Sequence, residues 1–294
     1  MRNKTKAKLN FLLPMLCLIL SLTFPVAAAE GVKNGLSLTV HGAFPSLFPA
    51  FVLSGLFTAM LPVNNTRSAL VIPFFLGLLC GFPIGAKCLS SLVKEGKITK
   101  EKAALLLPFI SGASPAFLLS FCTVTLFSDK KESLMLFLMQ GITFSLFFFL
   151  FFRKDLAKKD ENPFAACQTP PLSSALPTAL KDAANAFLYV GACIIFFSFF
   201  LSVLKSVFTL STFTSSVLSI ILELTSGVKS LSLIRAELKL PLCAFAIGWN
   251  GFSVHLQTAG ITAEANIPLK FYYLFKLLLG VLFFLFAQFL QNLL

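Results

Sequence analysis

The stretch GFPIGAK, from Gly81 to Lys87, interrupts an apolar run that begins near Ala69 and ends near Val93. Glycine and proline weaken a helix, and a lysine is costly at membrane depth. Hydrocarbon tolerates the freed backbone groups only where protein or a water-filled cavity covers them. We therefore predict an interrupted helix whose unwound part lies near the bilayer midplane.

The lysines that follow this stretch determine its predicted topology. Lys94, Lys97, Lys100 and Lys102 come directly after the apolar run. If the run crossed the membrane, these lysines would lie outside, whereas Lys and Arg prefer cytoplasmic loops. A re-entrant hairpin that enters from the cytoplasm and returns to it keeps them inside, with GFPIGAK as its tip.

The overall composition is typical of a membrane protein. Of 294 residues, 57% are hydrophobic and 12% are charged, and the mean hydropathy is +0.88. Several apolar runs reach the roughly 20 residues that a spanning helix needs. The formal charge of +12 lies mostly in short loops, where it orients helices, so we expect no nucleic-acid partner. We predict an all-α polytopic membrane protein embedded in the lipid bilayer.

Motifs for catalysis and metal binding are missing from the sequence. The seven cysteines lack CxxC spacing, which a zinc site or a disulfide framework would favour. No GxSxG, HExxH or Walker motif occurs, and neither His41 nor His255 has an identifiable nucleophile as a partner. We therefore expect no enzyme activity, no catalytic residue, no metal and no cofactor.

The N-terminal segment has two readings. Basic residues precede an apolar stretch from Leu9 to Val26, which is followed by AAAE at Ala27 to Glu30. This is the layout of a secretory signal with a small-residue cleavage site, but such a segment is also long enough to span a membrane. We predict a retained first helix with a cytoplasmic N-terminus and leave cleavage open. Glu30 to His41 is predicted to be an external connector.

A second interrupted stretch, ELTSGVK from Glu223 to Lys229, indicates an internal repeat. Similar segments in the same order indicate duplication, and entry from opposite membrane sides makes the repeat inverted. Three pairs of segments match in this way: AFPSLFPAF from Ala43 with AFLYVGACI from Ala186, GAKCLSSL from Gly85 with GVKSLSLI from Gly227, and FISGASPAF from Phe109 with FAIGWNGFS from Phe245.

The repeat divides the chain into four predicted parts. Residues 1–42 form an N-terminal transmembrane helix and external connector, and residues 43–152 form the first repeat. Residues 153–178 form a cytoplasmic linker with the Pro/Ser-rich stretch NPFAACQTPPLSSALP, and residues 179–294 form the second repeat. Each repeat is predicted to hold a re-entrant hairpin and a broken transmembrane helix. The last span would begin in the cytoplasm, with Lys270 and Lys276 on that side.

Candidate binding residues lie at the hairpin tips and in the broken spans. Glu223 is a carboxylate deep in an apolar run, and such a group is costly unless it has a function. Asn250, Ser253 and Gln257 recur at helical spacing and would share one face of the next span. The residues predicted to bind a solute are Glu223, Thr225, Ser226, Asn250, Ser253, Gln257, Ser111 and Ser114. Polar groups of this kind also act only as hydrogen-bonding contacts between helices, which is the alternative.

The hairpin tips supply a second group of candidate residues. They are Gly81, Pro83, Gly85 and Lys87 in the first half and Gly227 and Lys229 in the second half. The two lysines have two alternative roles. They could bind a ligand, or they could cap the C-termini of half-helices. Donors and acceptors beside one carboxylate suit a small neutral polyhydroxy or heterocyclic solute.

Several stretches carry a resemblance to a known family: FPSLFPAF (Phe44 to Phe51), GFPIGAK with the following KEGKITKEKA, SGASPAF (Ser111 to Phe117), ELTSGVK and GWNGFSVHLQ (Gly248 to Gln257). In these stretches the chain resembles the nucleoside-recognition, or Gate-domain, membrane proteins, and within them the sporulation integral membrane proteins. The resemblance implies a multi-pass protein of the bacterial inner membrane that acts in sporulation, in spore cortex formation.

The resemblance also implies a nucleoside-transporter-like fold. In concentrative nucleoside transporters a hairpin-tip carboxylate and an Asn and a Ser of the following helix hold ribose and base, and Glu223, Asn250 and Ser253 match those positions here. We expect a permease for a small polar solute such as a nucleoside or an envelope precursor. The alternative is a non-transporting scaffold or signalling component of spore maturation. The sequence is compatible with a homo-oligomer and does not decide the oligomeric state.

Overall fold

The computed structural model describes residues 2–60, 63–127, 129–157 and 170–293, and within these ranges no strand occurs. The α-helices are α1 (Arg2–Thr23), α2 (Pro25–Ser37), α3 (Phe44–Met60), α4 (Thr66–Cys80), α5 (Ile84–Lys94), α6 (Lys100–Ile110), α7 (Lys130–Ala157), α8 (Leu172–Val207), α9 (Thr212–Leu222), α10 (Leu224–Ser230), α11 (Ala236–Trp249), α12 (Gly251–Ala263) and α13 (Lys270–Leu293). Wider, π-type turns form Leu38–Ala43 and Phe117–Phe127, and Leu231–Leu233 is a short 3-10 turn.

Three of the described helices, α7, α8 and α13, are long and apolar enough to cross a membrane by themselves. A fourth such unit is a bent pair, Pro14–Thr23 with Pro25–Ala43, whose two parts meet at 108°. The remaining apolar helices are shorter than the about 20 residues that a complete span needs. The all-α membrane class expected from the sequence is confirmed.

The first interruption is a tight helical hairpin formed by α4 and α5. Its turn contains Gly81 at φ 75°, a conformation that glycine adopts without steric cost. The two helices approach so closely that a Cβ on Gly85 would lie 3.0 Å from the Cα of Gly77. The helix break predicted at GFPIGAK is therefore present, and the two glycines let its arms touch.

The second interruption is a hairpin formed by α9 and α10. Its turn is at Glu223, whose carboxylate accepts hydrogen bonds from the backbone N–H groups of Thr225 at 3.0 Å and Ser226 at 2.5 Å. This is an N-cap, which satisfies donors that the first turn of a helix leaves free. A Cβ on Gly227 would lie 2.6 Å from the Cα of Ile220, so this hairpin also depends on glycine for its close packing.

Each hairpin is followed by a broken helix. α6 ends at Ile110, and the chain becomes helical again beyond SGAS. α11 ends at Trp249, and Asn250 at φ 72° separates it from α12. We predicted Asn250 on one helical face with Ser253 and Gln257. That prediction is wrong, because Asn250 is the left-handed hinge residue between two helices.

The N-terminal region differs from the predicted external connector. α2 and the π-type turns after it are helical from Pro25 to Ala43, and α2 packs along α8. A Cβ on Gly31 would lie 2.6 Å from the Cα of Phe199, and one on Gly35 would lie 2.7 Å from that of Ile195. Small residues four positions apart permit this close approach between helices in a membrane.

The predicted linker between the halves is shorter than expected. α8 begins at Leu172 and α7 continues to Ala157, so both ends of the 153–178 segment are helical. The middle of that segment, 158–169, lies outside the described residues. The two halves share one large apolar core built from α4 to α7 and α9 to α13, while a smaller core joins α3, Ile84 of the first hairpin and α8.

Candidate functional site

The first hairpin tip and the two helix breaks meet in the interior. The backbone N–H of Phe82, in the tip, donates to the carbonyl oxygen of Gly112 at 2.9 Å. The Asn250 side chain, in the second break, donates from Nδ2 to the carbonyl oxygen of Ser111 at 2.6 Å. The first tip therefore contacts the first break, and the two breaks contact each other directly.

The second hairpin tip continues this row of interruptions. A Cβ on Gly251, directly after the second break, would lie 3.4 Å from the backbone nitrogen of Glu223. Glu223 is only 2% exposed, and the backbone of α10 occupies both of its carboxylate oxygens. The four interruptions thus form one continuous central row, in which Glu223 acts as a helix cap as well as a candidate ligand.

Lys276 is a buried cation at this crossing that the sequence reasoning missed. Its Nζ donates to the carbonyl oxygen of Ser111 at 2.6 Å and lies 5.3 Å from the centre of the Phe144 ring. The predicted cytoplasmic position of Lys276 is wrong. α13 begins at Lys270, so Lys276 lies well inside the helix, where its side chain is fully buried. A lone ionisable residue inside an apolar run was a usable signal.

Several buried side-chain atoms near the crossing lack a hydrogen-bond partner among the described residues. They are Ser111 Oγ, Asn250 Oδ1, Gln257 Oε1 and His255 Nε2. Buried polar atoms are normally paired with protein or ordered water. Two of these atoms, Ser111 Oγ and Asn250 Oδ1, belong to the two helix breaks, where a ligand, an ion or water would be stabilised.

One of these four residues, Gln257, lines a small cavity. It measures about 20 Å³, and its lining includes Ser114, Glu223, Thr225 and Gln257. A cavity of this size holds roughly one water molecule. The fold therefore brings these four predicted residues together around a cavity that is too small for a nucleoside-sized solute.

The other predicted residues lie outside this cavity. Ser226 pairs with Ser198 of α8 through their hydroxyls at 3.4 Å. Ser253 accepts a hydrogen bond from Gln257 Nε2 at 3.2 Å. Of the two tip lysines, Lys87 pairs with Asp182 at 3.3 Å, and Lys229 is exposed. The tip glycines and Pro83 are buried and shape the backbone.

Gln140 of α7 is a second polar residue that the sequence reasoning missed. Its Oε1 accepts from the backbone N–H of Ala113 at 2.9 Å, and its Nε2 donates to the carbonyl oxygen of the same residue at 2.8 Å. This pair of bonds satisfies backbone groups freed by the first break. Only the proximity of α7 to the break, which sequence does not reveal, identifies this role.

Charged contacts join several elements at the open end of the first hairpin. Lys94 pairs with Glu264, which follows α12, and Lys102 pairs with Asp155 of α7 at 2.6 Å. The hydrogen bond and charge of Lys94 hold the pKa of the exposed Glu264 carboxyl below its usual value. Solvent screens such pairs strongly, so they contribute little stability. They show that these elements meet at the same end of the protein.

A larger cavity lies on the same side of the site, between α3, α5 and α8. It measures about 380 Å³ and is bordered by Ser54, Thr58, Lys87 and Asp182. Pro83 of the first hairpin tip also lines it, so the cavity extends to the tip. Among the described residues, no three His, Cys, Asp or Glu side chains group closely enough to hold a metal ion.

Among curated proteins, the chain matches the sporulation integral membrane protein YlbJ of Bacillus subtilis (strain 168). The two are 28% identical over an alignment of 312 positions, which covers 88% of this chain and 76% of YlbJ. The chain is thus similar to YlbJ. This confirms the similarity to sporulation integral membrane proteins expected from the sequence, while the Gate-domain relationship stays a prediction. No protein-family model matches the chain, and no solved structure matches it.

Proposed function

We propose that this chain is a transporter-like permease that moves a small polar solute across a bacterial inner membrane by alternating access. The contact between the two helix breaks, Asn250 to Ser111 at 2.6 Å, is the observation that carries the proposal. In transporters built from broken helices, solute and ion sites lie at such unwound segments near the bilayer midplane. The unpaired buried oxygens beside this contact would bind the solute.

The order of the elements supports two inverted repeats. A single apolar helix, a hairpin, a broken helix and a long apolar helix occur as α3 to α7 and again as α8 to α13. The second hairpin leads into α11, and α12 then ends beside the first hairpin, where Ser90 Oγ donates to the carbonyl oxygen of Ile261 at 3.2 Å. Because α11, the break and α12 together traverse the protein, the two hairpins open toward opposite ends.

This orientation predicts opposite labelling of the two hairpin openings. In a cysteine-free background, we expect Lys100→Cys and Arg235→Cys to react with a membrane-impermeant maleimide from opposite sides of the membrane. Both side chains are exposed. Lys100 is the first residue of α6 and Arg235 directly precedes α11, and these two helices lead into the breaks. Reaction of both from one side would contradict the inverted arrangement, and labelling after detergent solubilisation controls for reactivity.

Lys276 changes the expected chemistry of the solute. The sequence suggested a neutral molecule, but no salt bridge to this buried cation occurs within the described part of the chain. A buried charge without a counter-charge is stabilised by a ligand that supplies one. We therefore extend the candidate solutes from nucleosides and envelope precursors to small organic anions.

The biological setting is inferred from the relative. YlbJ is named as a sporulation integral membrane protein, and we propose that this chain likewise acts in sporulation, in spore cortex formation. Its role would be to supply a solute and not to catalyse a reaction, so no cofactor is needed.

Solute uptake by the purified protein in proteoliposomes tests the proposal. The panel contains nucleosides, sugar-nucleotide precursors and small carboxylic acids, and we expect saturable uptake of at least one class. Gln257→Leu should lower that uptake by about tenfold or more, the loss expected when a buried hydrogen bond to the solute is removed. The fold should tolerate the change, because Gln257 Oε1 has no partner within the described protein and the Nε2 bond that leucine also removes is a local one, to Ser253 one turn away at 3.2 Å.

Gln291→Leu is the matched control for this experiment. Gln291 Oε1 also has no partner among the described residues, but it lies in the last turn of α13, far along the helix from Lys276. Its substitution should leave uptake unchanged. A folded protein that shows no saturable uptake of any panel member would contradict the permease proposal.

A scaffold or signalling component of spore maturation is the second candidate function. The observation in its favour is that the carboxylate of Glu223 is already satisfied by the backbone of α10. Under this alternative, Gln257→Leu would support normal sporulation in an endospore-forming host. Under the permease proposal, the same variant would reduce the yield of mature spores.

A further inference from the structure

We infer that the side-chain ammonium group of Lys276 occupies the place of a coupling cation, so that transport is driven by a proton gradient and not by sodium. The inference deepens the permease proposal and depends on it. The inference rests on the buried contact between Lys276 and the first helix break. That contact can be tested without knowing where the solute binds.

The position of the Lys276 ammonium group is that of a cation at a half-helix C-terminus. Ser111 directly follows α6, and its carbonyl oxygen is 2.6 Å from Lys276 Nζ. The last carbonyls of a helix lack intrahelical partners and carry the negative end of the helix dipole. In transporters with broken helices, such C-terminal ends and unwound carbonyls coordinate the coupling ion.

The surroundings of the amine also suit a cation. The Ser111 carbonyl accepts a second hydrogen bond, from Asn250 Nδ2, while Ser111 Oγ and Asn250 Oδ1 are acceptors without a partner in the described structure. The Phe144 ring contributes a cation–π contact at 5.3 Å. An ammonium group has three N–H donors, and among the residues that the structure describes it forms one hydrogen bond, to Ser111.

Few titratable groups lie close to Lys276 along the helices that pack against it. Tyr272 lies one turn away on α13, and its hydroxyl is 3.1 Å from His255 Nδ1 of α12. The ionisable residues of the other elements in contact lie toward helix ends or farther along the helix: Lys100, Glu101 and Lys102 at the start of α6; Lys130, Lys131, Glu132, Arg153, Lys154 and Asp155 near the ends of α7; and Glu237, Lys239 and Cys243 of α11.

Protonation of this amine would control the contact between α13 and the first helix break, which joins the two halves. The charged form makes a charge-assisted hydrogen bond to the Ser111 carbonyl, which is about twice as strong as a neutral one. Loss of the proton weakens that bond and leaves α13 less firmly attached to the first break. Proton release would therefore free the break to move, which is what alternating access requires of it.

Sodium dependence of thermal unfolding tests the assignment without any uptake measurement. We expect wild-type protein in detergent to unfold at the same temperature in NaCl and in choline chloride. Lys276→Ala removes the ammonium group and leaves the Ser111 and Asn250 oxygens as a vacant cation site. For this variant we expect NaCl to raise the unfolding temperature by a few degrees, as a ligand that binds only the folded state does.

Two further variants keep this test decisive. Lys270→Ala, in the first turn of the same helix, should show no sodium effect. If Lys276→Ala does not fold, Lys276→Gln is a second variant without the positive charge. We expect the same sodium-dependent shift in its unfolding temperature. Sodium-specific stabilisation of the wild type would overturn the assignment, and so would a folded Lys276 variant without any sodium response.

Gradient-driven uptake in proteoliposomes tests the coupling itself. We expect an imposed pH gradient to raise wild-type uptake by about fivefold or more, the usual lower range of coupling effects, and a sodium gradient to leave it unchanged. Lys276→Arg keeps the charge but does not release its proton, so its uptake should lose the response to pH. Uptake driven by sodium would overturn the inference. No uptake under any condition would contradict the permease proposal alone, since the unfolding measurements judge the cation site separately.

Discussion

Gly85→Ala is expected to destabilise the folded protein by about 1–3 kcal/mol, the usual range for overpacking a well-packed interior. An added Cβ would lie 2.4 Å from the carbonyl oxygen of Ile110 and 3.0 Å from the Cα of Gly77. Both are backbone atoms, so neither can turn away as a flexible side chain does. The first hairpin would have to separate from α6, directly beside the first helix break.

The matched control for this prediction is Gly141→Ala in α7. Gly141 is also helical, but nothing lies within 4 Å of the position that its Cβ would take. Alanine favours a helix over glycine by about 0.5–1 kcal/mol, so this variant should be as stable as wild type or slightly more so. Unfolding in mixed micelles with increasing denaturing detergent measures both variants. Equal stability of the two would contradict the close contact between the first hairpin and α6.

Asn250→Ala is expected to lower both stability and uptake more than Asn250→Gly does. Asn250 combines a left-handed backbone, φ 72°, with a side-chain hydrogen bond to the Ser111 carbonyl. Alanine loses both features, since a left-handed conformation costs an ordinary residue about 1–2 kcal/mol. Glycine loses only the amide, because it adopts this conformation freely.

The comparison therefore separates the backbone effect from the hydrogen bond. We expect Asn250→Gly to lose about 1–3 kcal/mol, the cost of removing one partner of a buried hydrogen bond, and Asn250→Ala to lose about 1–2 kcal/mol more. Both variants should lower uptake, since both remove the contact between the two breaks. An alanine variant at least as stable as the glycine variant would show that the left-handed hinge is not needed.

The helix breaks could be predicted from the sequence because local chemistry determines them. Gly81 and Pro83 stand together in one short stretch, where glycine lowers helix stability and proline removes a backbone donor. The apolar runs similarly reveal an all-α membrane protein, because lipid requires backbone groups to be satisfied within each segment. The choice of Glu223, Thr225, Gln257 and Ser114 as neighbours followed from placing the interruptions together.

The roles of other residues depend on which elements become neighbours. Asn250 was correctly chosen as a candidate but wrongly placed on a helical face, because spacing alone does not show that α11 ends before it. Gln140 lies in an ordinary apolar helix, and its bonds to Ala113 become visible only when α7 packs beside the first break. The small residues of α2 likewise acquire their meaning from the surface of α8.

The four helix interruptions, of which GFPIGAK is the first, show which features depend on the sequence alone and which depend on the tertiary structure. The sequence by itself determined the membrane class and the interruption at GFPIGAK, since both depend on hydrophobicity and on the backbone preferences of single residues. Only the tertiary structure decided that the interruptions meet, with Ser111 receiving hydrogen bonds from both Asn250 and Lys276. Those three residues are 26 or more positions apart in the chain, and packing of the two halves around a shared core brings them together.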